Sequence, residues 1–386
     1  MTRAGPAQAS RAGASRPGRA DTIAVIGSGS LARAVCRWFA AAAGADLPAG
    51  EAAEVVMMAR SASAARDACL IAGGLAGLAS RPVRFRHVPA DLASPSGLAE
   101  ALRAAHPAGV VLCASYQSPW EGQRAPSAWT EALSRAGFGL SLPLQVVPAL
   151  RAGRAIAEVC PQAWLVNSCF PDAVNPVLAQ LGVPVTCGGG NVAMLGAALQ
   201  HSLGVTRAAR LKVVAHHAHL HAPPDPAGEA LAWLDDTPVA DVTAALREFR
   251  AAPREQLADL AGASTAQLAW ALLTGTEVET HAPGPLGLPG GYPVRIADRM
   301  LSLRLPSGLT QAQAVDINQD AALRDGVMVT DGMVTFGPAA RAVLEKELPC
   351  LAGGVKASDI TSACDRLLEL RNRLRRQPRL EVDRDR

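Results

Sequence analysis

Lysine is nearly missing: of 37 Lys and Arg residues only Lys212, Lys346 and Lys356 are lysines. A mechanism built on a lysine base has little to draw on. Aromatic residues make up 4% of the chain, too few for the stacking platforms of a single-strand binder. Net positive charge is also absent from the body. The formal net charge of +3 is carried by Arg3, Arg11, Arg16 and Arg19 at one end and by the arginine-rich stretch after Asp365 at the other. The body between is mildly acidic, so nucleic acid is not an expected partner. No apolar run reaches the ~18 residues that span a bilayer, so neither is a membrane. The eight cysteines (36, 69, 113, 160, 169, 187, 350, 364) stand singly, with no CxxC pair. That usage points to reduced thiols and a cytoplasmic protein. Residues 1–20 lack an apolar h-region and read as a disordered tail rather than a secretory signal.

What is present is a long apolar chain, 386 residues with 49% hydrophobic residues, enough for about two domains. From Asp21 onward short β-rich runs alternate with Ala/Leu-rich helical runs, the pattern of a parallel sheet covered by helices. The expected strands are Thr22–Ile26, Glu54–Ala59, Val83–Val88, Gly109–Ala114, Ala163–Asn167 and Pro184–Cys187. Six strands in this rhythm predict an α/β fold with an N-terminal Rossmann domain, a doubly wound parallel sheet of order 3-2-1-4-5-6. Beyond Asn191 the rhythm changes to a strand Leu211–His216, a helix-rich stretch 227–275 and a Pro/Gly loop Ala282–Pro293. Strands Val294–Leu305, Val327–Thr330 and Met333–Phe336 and helices 337–347 and 357–376 follow. The expected layout is a tail 1–20, a dinucleotide-binding domain 21–190, a mixed α/β substrate and dimerisation domain 191–376, and a charged tail 377–386.

Directly after the first strand stands Gly27-Ser28-Gly29-Ser30-Leu31-Ala32, a GxGxxA turn opening a helix. The first glycine permits the tight turn, the second lets backbone approach a pyrophosphate, and the alanine lets helix and strand pack closely. The helix start offers unpaired N–H groups to the anion. Strand two ends Met58-Ala59-Arg60-Ser61, without the acid that bonds a ribose 2′-hydroxyl. A guanidinium and a hydroxyl there suit a 2′-phosphate, which favours NADP over NAD. Strand four runs into Cys113-Ala114-Ser115-Tyr116, placing Ala114 and Ser115 at the carboxyl end of the sheet, where ligands bind in such folds.

Strand five runs into Asn167-Ser168-Cys169-Phe170-Pro171-Asp172. A Gly188-Gly189-Gly190-Asn191 turn and then Ala215-His216-His217-Ala218-His219 follow. This order of pieces resembles the lactate/malate dehydrogenase superfamily over roughly residues 22–350. The resemblance puts Asn167 on the family's strand-five asparagine beside the nicotinamide, Asn191 on its helix-opening asparagine and His217 on its catalytic histidine. It also implies a homodimer. Where the family carries its histidine-orienting Asp and substrate-binding Arg, this chain has Ala193 and Gly196. A lactate or malate dehydrogenase is therefore not expected, and Asp172 becomes the candidate carboxylate for the site.

Three readings of the histidines stay open. On a strand, His217, His219 and His221 would share a face. His217 then serves as acid and base for a carbonyl/alcohol or imine/amine pair, the trio holds a metal, or the rings only pack and hydrogen-bond. The metal reading resembles the family-4 glycosidases, whose metal-binding cysteine falls on Cys187, although Gly188 replaces the histidine after it. Opine- and saccharopine-type dehydrogenases are more distant relatives. The expected function is an NADP(H)-dependent oxidoreductase acting on a small polar substrate, with His217, Asn167 and Asp172 catalytic and no metal. A glycosidase-like enzyme and a catalytically inactive nucleotide sensor are the alternatives.

Overall fold

The computed structural model describes residues 21–44, 47 and 50–378. The tails expected at 1–20 and 377–386 lie outside the described residues, except Gln377 and Pro378. Strand β1 (Thr22–Ile26) is Thr-Ile-Ala-Val-Ile and buried at every position. A strand covered on both faces has no use for alternating polar residues, and β2 (Ala53–Ala59) reads the same way. With β3 (Val83–Pro89), β4 (Gly109–Leu112), β5 (Trp164–Asn167) and β6 (Cys187–Gly188) they form a six-stranded sheet of order β3-β2-β1-β4-β5-β6. Its pairings are all parallel. That order is a Rossmann fold.

Strand β6 is shorter and later than expected. Pro184 has no N–H to give a ladder, and pairing with β5 begins only at Cys187, opposite Val166. Gly188 is required there, since a Cβ would lie 2.2 Å from the Pro171 side chain.

The remainder carries three three-stranded antiparallel sheets. Two of their hairpins were not expected. The stretch 227–275 is helix-rich as expected, with helices Val242–Ala245, Arg247–Ala251 and Leu257–Thr274, but it opens with the strands Leu231–Leu234 and Thr237–Pro238, joined at Asp235-Asp236. The single expected strand Val294–Leu305 is a hairpin of Gly291–Ala297 and Met300–Leu303, turning at Asp298-Arg299. All four turn residues have positive φ, from 49° to 64°, the backbone of a type I′ turn. Neither turn contains the glycine by which such a turn is normally read from sequence.

The core does not stop at residue 190. One face of the Rossmann sheet packs with Val327, Val334, Leu367 and Leu370 from the chain's last sixty residues. The other packs with the helix Leu257–Thr274. That helix approaches α1 (Ser30–Ala42) so closely that a Cβ on Gly262 would lie 2.4 Å from the Ala34 Cβ. Trp129 is fully buried in the core and donates to Gln117 Oε1 at 2.9 Å. Among the described residues, no helix is long and apolar enough to cross a membrane.

Candidate active site

Gly27 has φ +127°, and a Cβ there would lie 2.8 Å from the Cys113 carbonyl oxygen, so only glycine fits. Its N–H donates to Met58 O at 2.8 Å, fixing the turn against β2. Gly29, exposed, is the N-cap of α1, and no side chain caps that helix start. Nothing among the described residues lies within 4 Å of where its Cβ would be. Ala32 is fully buried against the sheet. Ser28 and Ser30 flank the open backbone, and Leu31 is half-buried. Ala114 lies beside the turn, 3.4 Å from the Cβ position of Gly27, while Ser115 donates to Gln117 O at 2.7 Å. Arg60 is exposed at the end of β2. The Ser61 hydroxyl caps α2 (Ala62–Leu78), accepting from Ala64 N at 3.3 Å.

The structure changes the part played by Asn167. Its side chain is completely buried. Nδ2 donates to Asn175 Oδ1 at 2.9 Å and Cys169 O at 3.3 Å, and Oδ1 accepts from Cys169 N at 2.9 Å. These bonds shape the turn after β5 and commit both amide hydrogens, so the buried side chain has none to donate to a nicotinamide or a reacting oxygen.

The histidine strand is corrected as well. Strand β7 (Leu211–Val214) ends early, and His217–Leu220 form a 3-10 turn, so His217, His219 and His221 share no strand face. Side chains competing for backbone N–H groups end the strand. His216 Nδ1 accepts from Ala218 N at 3.2 Å, and His219 Nδ1 accepts from His216 N at 2.8 Å. An accepting Nδ1 puts the His219 proton on Nε2, which donates to Gly228 O at 3.0 Å. Burial and the neighbouring Arg324 push His219 down to about 4, so it is a neutral structural group.

His217 is the ring left for chemistry. Its Nδ1 lies 2.7 Å from Asp325 Oδ2, and its side chain keeps 20% exposure. Phe138 and Phe170 flank the imidazole, with centroids at 5.5 and 5.3 Å. Burial alone would lower its pKa, but the Asp325 carboxylate, through charge and hydrogen bond, with Asp172 behind it, raises it above the ordinary histidine value. Burial pushes Asp325 up in turn, and His217 more than offsets this, so the carboxyl lies below its usual range.

Asp325 is the candidate residue that sequence reading missed, 108 positions from its histidine. It caps the helix Gln311–Arg324, where the negative end of the helix dipole disfavours a carboxylate and makes a cationic partner worth more. Gly139 N donates to Asp325 O at 2.7 Å, and Cβ atoms on Gly137 or Gly139 would lie within 2.8 Å of that oxygen. Two glycines therefore lock the segment bearing Phe138 onto the helix end bearing Asp325.

Asp172 reaches the same site in a different role. Nearly fully buried, it accepts from the His217 backbone N at 2.9 Å and from Asn191 Nδ2. It anchors the turn rather than orienting the ring. Ala193 is buried, and a Cβ on Gly196 would lie 2.4 Å from the His281 ring. Helix Val192–Ser202 thus has no room for an arginine at 196. His281 occupies that space and accepts from Val213 N at 3.0 Å.

His217, His221, Arg324 and Asp325 line an open cleft of about 790 Å³, with Leu133 and Phe138 among its apolar walls. The glycine turn does not line it. Contact between the two runs through the strand ends: Cys113 N donates to Ile26 O at 2.8 Å, Ser168 N to Leu112 O at 2.9 Å, and Phe170 meets His217. Cys187 is fully buried in β6, its thiol pushed up to about 12 by burial. Among the described residues no three His, Cys, Asp or Glu side chains converge as metal ligands. Cys169 is likewise pushed up to about 12 by burial, too high for a nucleophile.

A buried ion pair holds the histidine turn from behind. Arg250 donates to both Glu229 carboxylate oxygens at 2.7 Å and to His219 O at 2.8 Å, with the two side chains 8% and 9% exposed. Arg250→Met leaves Glu229 buried without its cation and is expected to cost about 3–5 kcal/mol, read from the urea midpoint. Burial raises the Glu229 pKa, but Arg250 outweighs it, and the net shift is downward. The contribution is therefore present above the ordinary carboxylate range and is lost as pH falls through the lowered value. An unchanged midpoint in the variant would show that the turn does not depend on this clamp.

No protein-family model matches the chain, and no curated protein matches it. Solved structures similar to it include Cryptosporidium parvum malate dehydrogenase, at 15% identity over 80% of this chain and 99% of that one, with a TM-score of 0.45. Another is the lactate dehydrogenase of the same organism, complexed with lactic acid and nicotinamide adenine dinucleotide, at 15% identity over 80% and 97%, TM-score 0.45. A third is Eimeria maxima lactate dehydrogenase with NADH and oxamate, at 14% identity over 80% and 93%, TM-score 0.46. The chemistry rests on the residues themselves, not on these likenesses.

Proposed function

We propose that the chain is a nicotinamide-dependent oxidoreductase acting on a carbonyl/alcohol or imine/amine pair. The observation that carries this reading is the His217–Asp325 pair, 2.7 Å apart, at the wall of a cleft beside the carboxyl ends of a Rossmann sheet. The glycine turn fits a dinucleotide: Gly27 makes the turn, and Gly29 leaves the uncapped start of α1 open to a diphosphate. When bound, the nicotinamide supplies hydride exchange with the substrate carbon. The protein supplies the rest. Backbone from Gly27 to Ala32 holds the diphosphate, and Ala114 and Ser115 flank it. Asp325 fixes the imidazole tautomer so that Nε2 of His217 delivers or removes the substrate's proton and the imidazolium is stabilised. Asp172 and Asn191 hold the turn at the right depth. The missing family aspartate, which favoured an inactive sensor, is answered by Asp325 arriving from elsewhere in the chain.

The test is calorimetric titration with NADPH and NADH, followed by oxidation of the reduced cofactor over a panel of ketones, aldehydes and imines. Binding with turnover of at least one panel member is expected. No pyridine-nucleotide binding at millimolar concentration would overturn the reading, and tight binding without turnover would leave a sensor.

For the 2′ position the proposal is NADP(H), because Arg60 is exposed beside the Ser61 hydroxyl and no acid stands at the end of β2. Arg60→Glu is expected to weaken NADPH binding by about 1–3 kcal/mol with little effect on NADH. Equal loss for the two cofactors, or none, removes Arg60 from the site.

A further inference from the structure

From Ala68 to its C-cap Ala79, helix α2 reads Ala-Cys-Leu-Ile-Ala-Gly-Gly-Leu-Ala-Gly-Leu-Ala, with no charged or polar residue to face water. A helix that is apolar all round belongs in an interior. Only one side of α2 is covered. Ala65, Ala68, Cys69, Ala72 and Ala76 pack into the core, while Leu70, Ile71 and Leu78 are 72%, 60% and 88% exposed. A contiguous apolar patch of this kind marks an interaction surface.

The outward face has a definite relief. At about 100° per residue, Asp67, Leu70, Ile71, Gly74, Gly77 and Leu78 lie within about 60° of one direction, and all six are exposed. A Cβ on Gly74 or Gly77 would meet nothing within 4 Å among the described residues. Glycine weakens a helix interior relative to alanine, and no neighbour within the chain requires these two. They leave a trough between the larger side chains, into which a second helix can settle.

The face is complementary to itself. A two-fold axis at Gly74 that sets α2 antiparallel to its copy brings Gly74 to Gly74 and Leu70 to Leu78, and lets Ile71 fill the space over Gly77. The charges follow the same register. Asp67, exposed and 3.5 Å from its neighbour Arg66, comes opposite Arg81 of the copy. Arg81 gives Nε to Ala41 O at 3.0 Å and has no carboxylate partner among the described residues, so its other N–H groups can take one. Residues 1–20 contain a single large apolar side chain, Met1, and cannot match this face as a second copy does.

We infer that two copies of this chain pair through α2, antiparallel across a two-fold axis at Gly74. The contact lies on the Rossmann half, not in residues 191–376 where the sequence placed dimerisation, and it is independent of the redox reading. Seventeen residues give a strip about 26 Å long and one helix wide. That is at the small end of protein interfaces, so the dimer is expected to dissociate in the micromolar range.

The test uses the full chain without cofactor. Sedimentation equilibrium over about 1–200 µM should show a reversible monomer–dimer equilibrium. Leu78→Glu should weaken it about tenfold or more, with an unchanged circular dichroism spectrum and urea midpoint, because the side chain is 88% exposed. For the register, Gly74→Cys is made in a Cys350→Ser background, which removes the exposed thiol. Mild oxidation should then link Gly74→Cys to its copy. Ser63→Cys in the same background should not cross-link, since antiparallel pairing holds the two positions about 33 Å apart. A wild type that stays monomeric throughout, or a dimer indifferent to Leu78→Glu, overturns the inference. Cross-linking at 63 as readily as at 74, or none at 74 while the dimer persists, overturns the antiparallel register.

Discussion

Asp325→Asn is expected to cut turnover about 10²–10⁴-fold while the dinucleotide still binds. The amide keeps the shape of the carboxylate but cannot stabilise an imidazolium, and its NH₂ can turn the ring to the wrong tautomer. His217→Asn should lose activity on the same scale, and the double variant should lose little more, because the pair acts as one unit. The pH profile gives the sharper test. Reduction of a carbonyl needs His217 protonated, so the wild-type rate should fall as pH rises through its raised pKa. In Asp325→Asn burial is left with less opposition, and the fall should move to more acid pH. Stability should follow the same groups. The raised His217 contributes fully below its ordinary 6.5, and this is lost as pH rises through the folded value. The lowered Asp325 contributes above its ordinary 3.8, and this is lost as pH falls through the folded value. The urea-midpoint difference between wild type and Asp325→Asn should therefore be largest between those limits and shrink on either side. A variant with an unshifted rate profile and a pH-independent stability difference would show that Asp325 is not the partner of the working histidine.

Gly29→Ala is expected to leave folding nearly untouched and to weaken the dinucleotide about tenfold or more. Gly29 has φ −74°, a conformation any residue adopts, and its Cβ would enter open space. Stability should therefore change by no more than about 0.5 kcal/mol. The methyl would instead occupy the approach of the diphosphate to the backbone N–H groups, whose charge-assisted bonds are worth about 1.5–3 kcal/mol each. Gly27→Val makes the contrast: with φ +127° and the Cys113 oxygen 2.8 Å from the new Cβ, the fold itself should weaken, by about 1–3 kcal/mol from backbone strain alone. Calorimetry and urea unfolding on both variants separate the two effects. Unchanged affinity in Gly29→Ala would move the cofactor away from this turn.

The Rossmann half was legible because its signals are local. Strands β1, β2, β4 and β5 are largely apolar runs and β3 alternates Val-Arg-Phe-Arg, each bounded by helical stretches, and the glycine turn follows β1 directly, so ten-residue windows contain the information. The expected order 3-2-1-4-5-6 is the one found. Local reading failed where side chains took over backbone duties. The rings of His216 and His219 end β7 by accepting N–H groups. Two hairpins turn on Asp235-Asp236 and Asp298-Arg299, in a backbone normally marked by glycine.

The site divides along the same line. Sequence alone singled out His217, the glycine turn and Asp172, since each belongs to a short pattern with a chemical reason. It also marked Ala193 and Gly196 as positions lacking the expected charges. Tertiary structure alone decided what these residues do: Asn167 is consumed in a turn, Asp172 holds backbone, and the carboxylate on His217 is Asp325. A hydrogen bond between side chains 108 residues apart leaves no periodicity in the chain. It exists because Gly137 and Gly139 let one helix end pack against the segment bearing Phe138, and only packing brings such surfaces together.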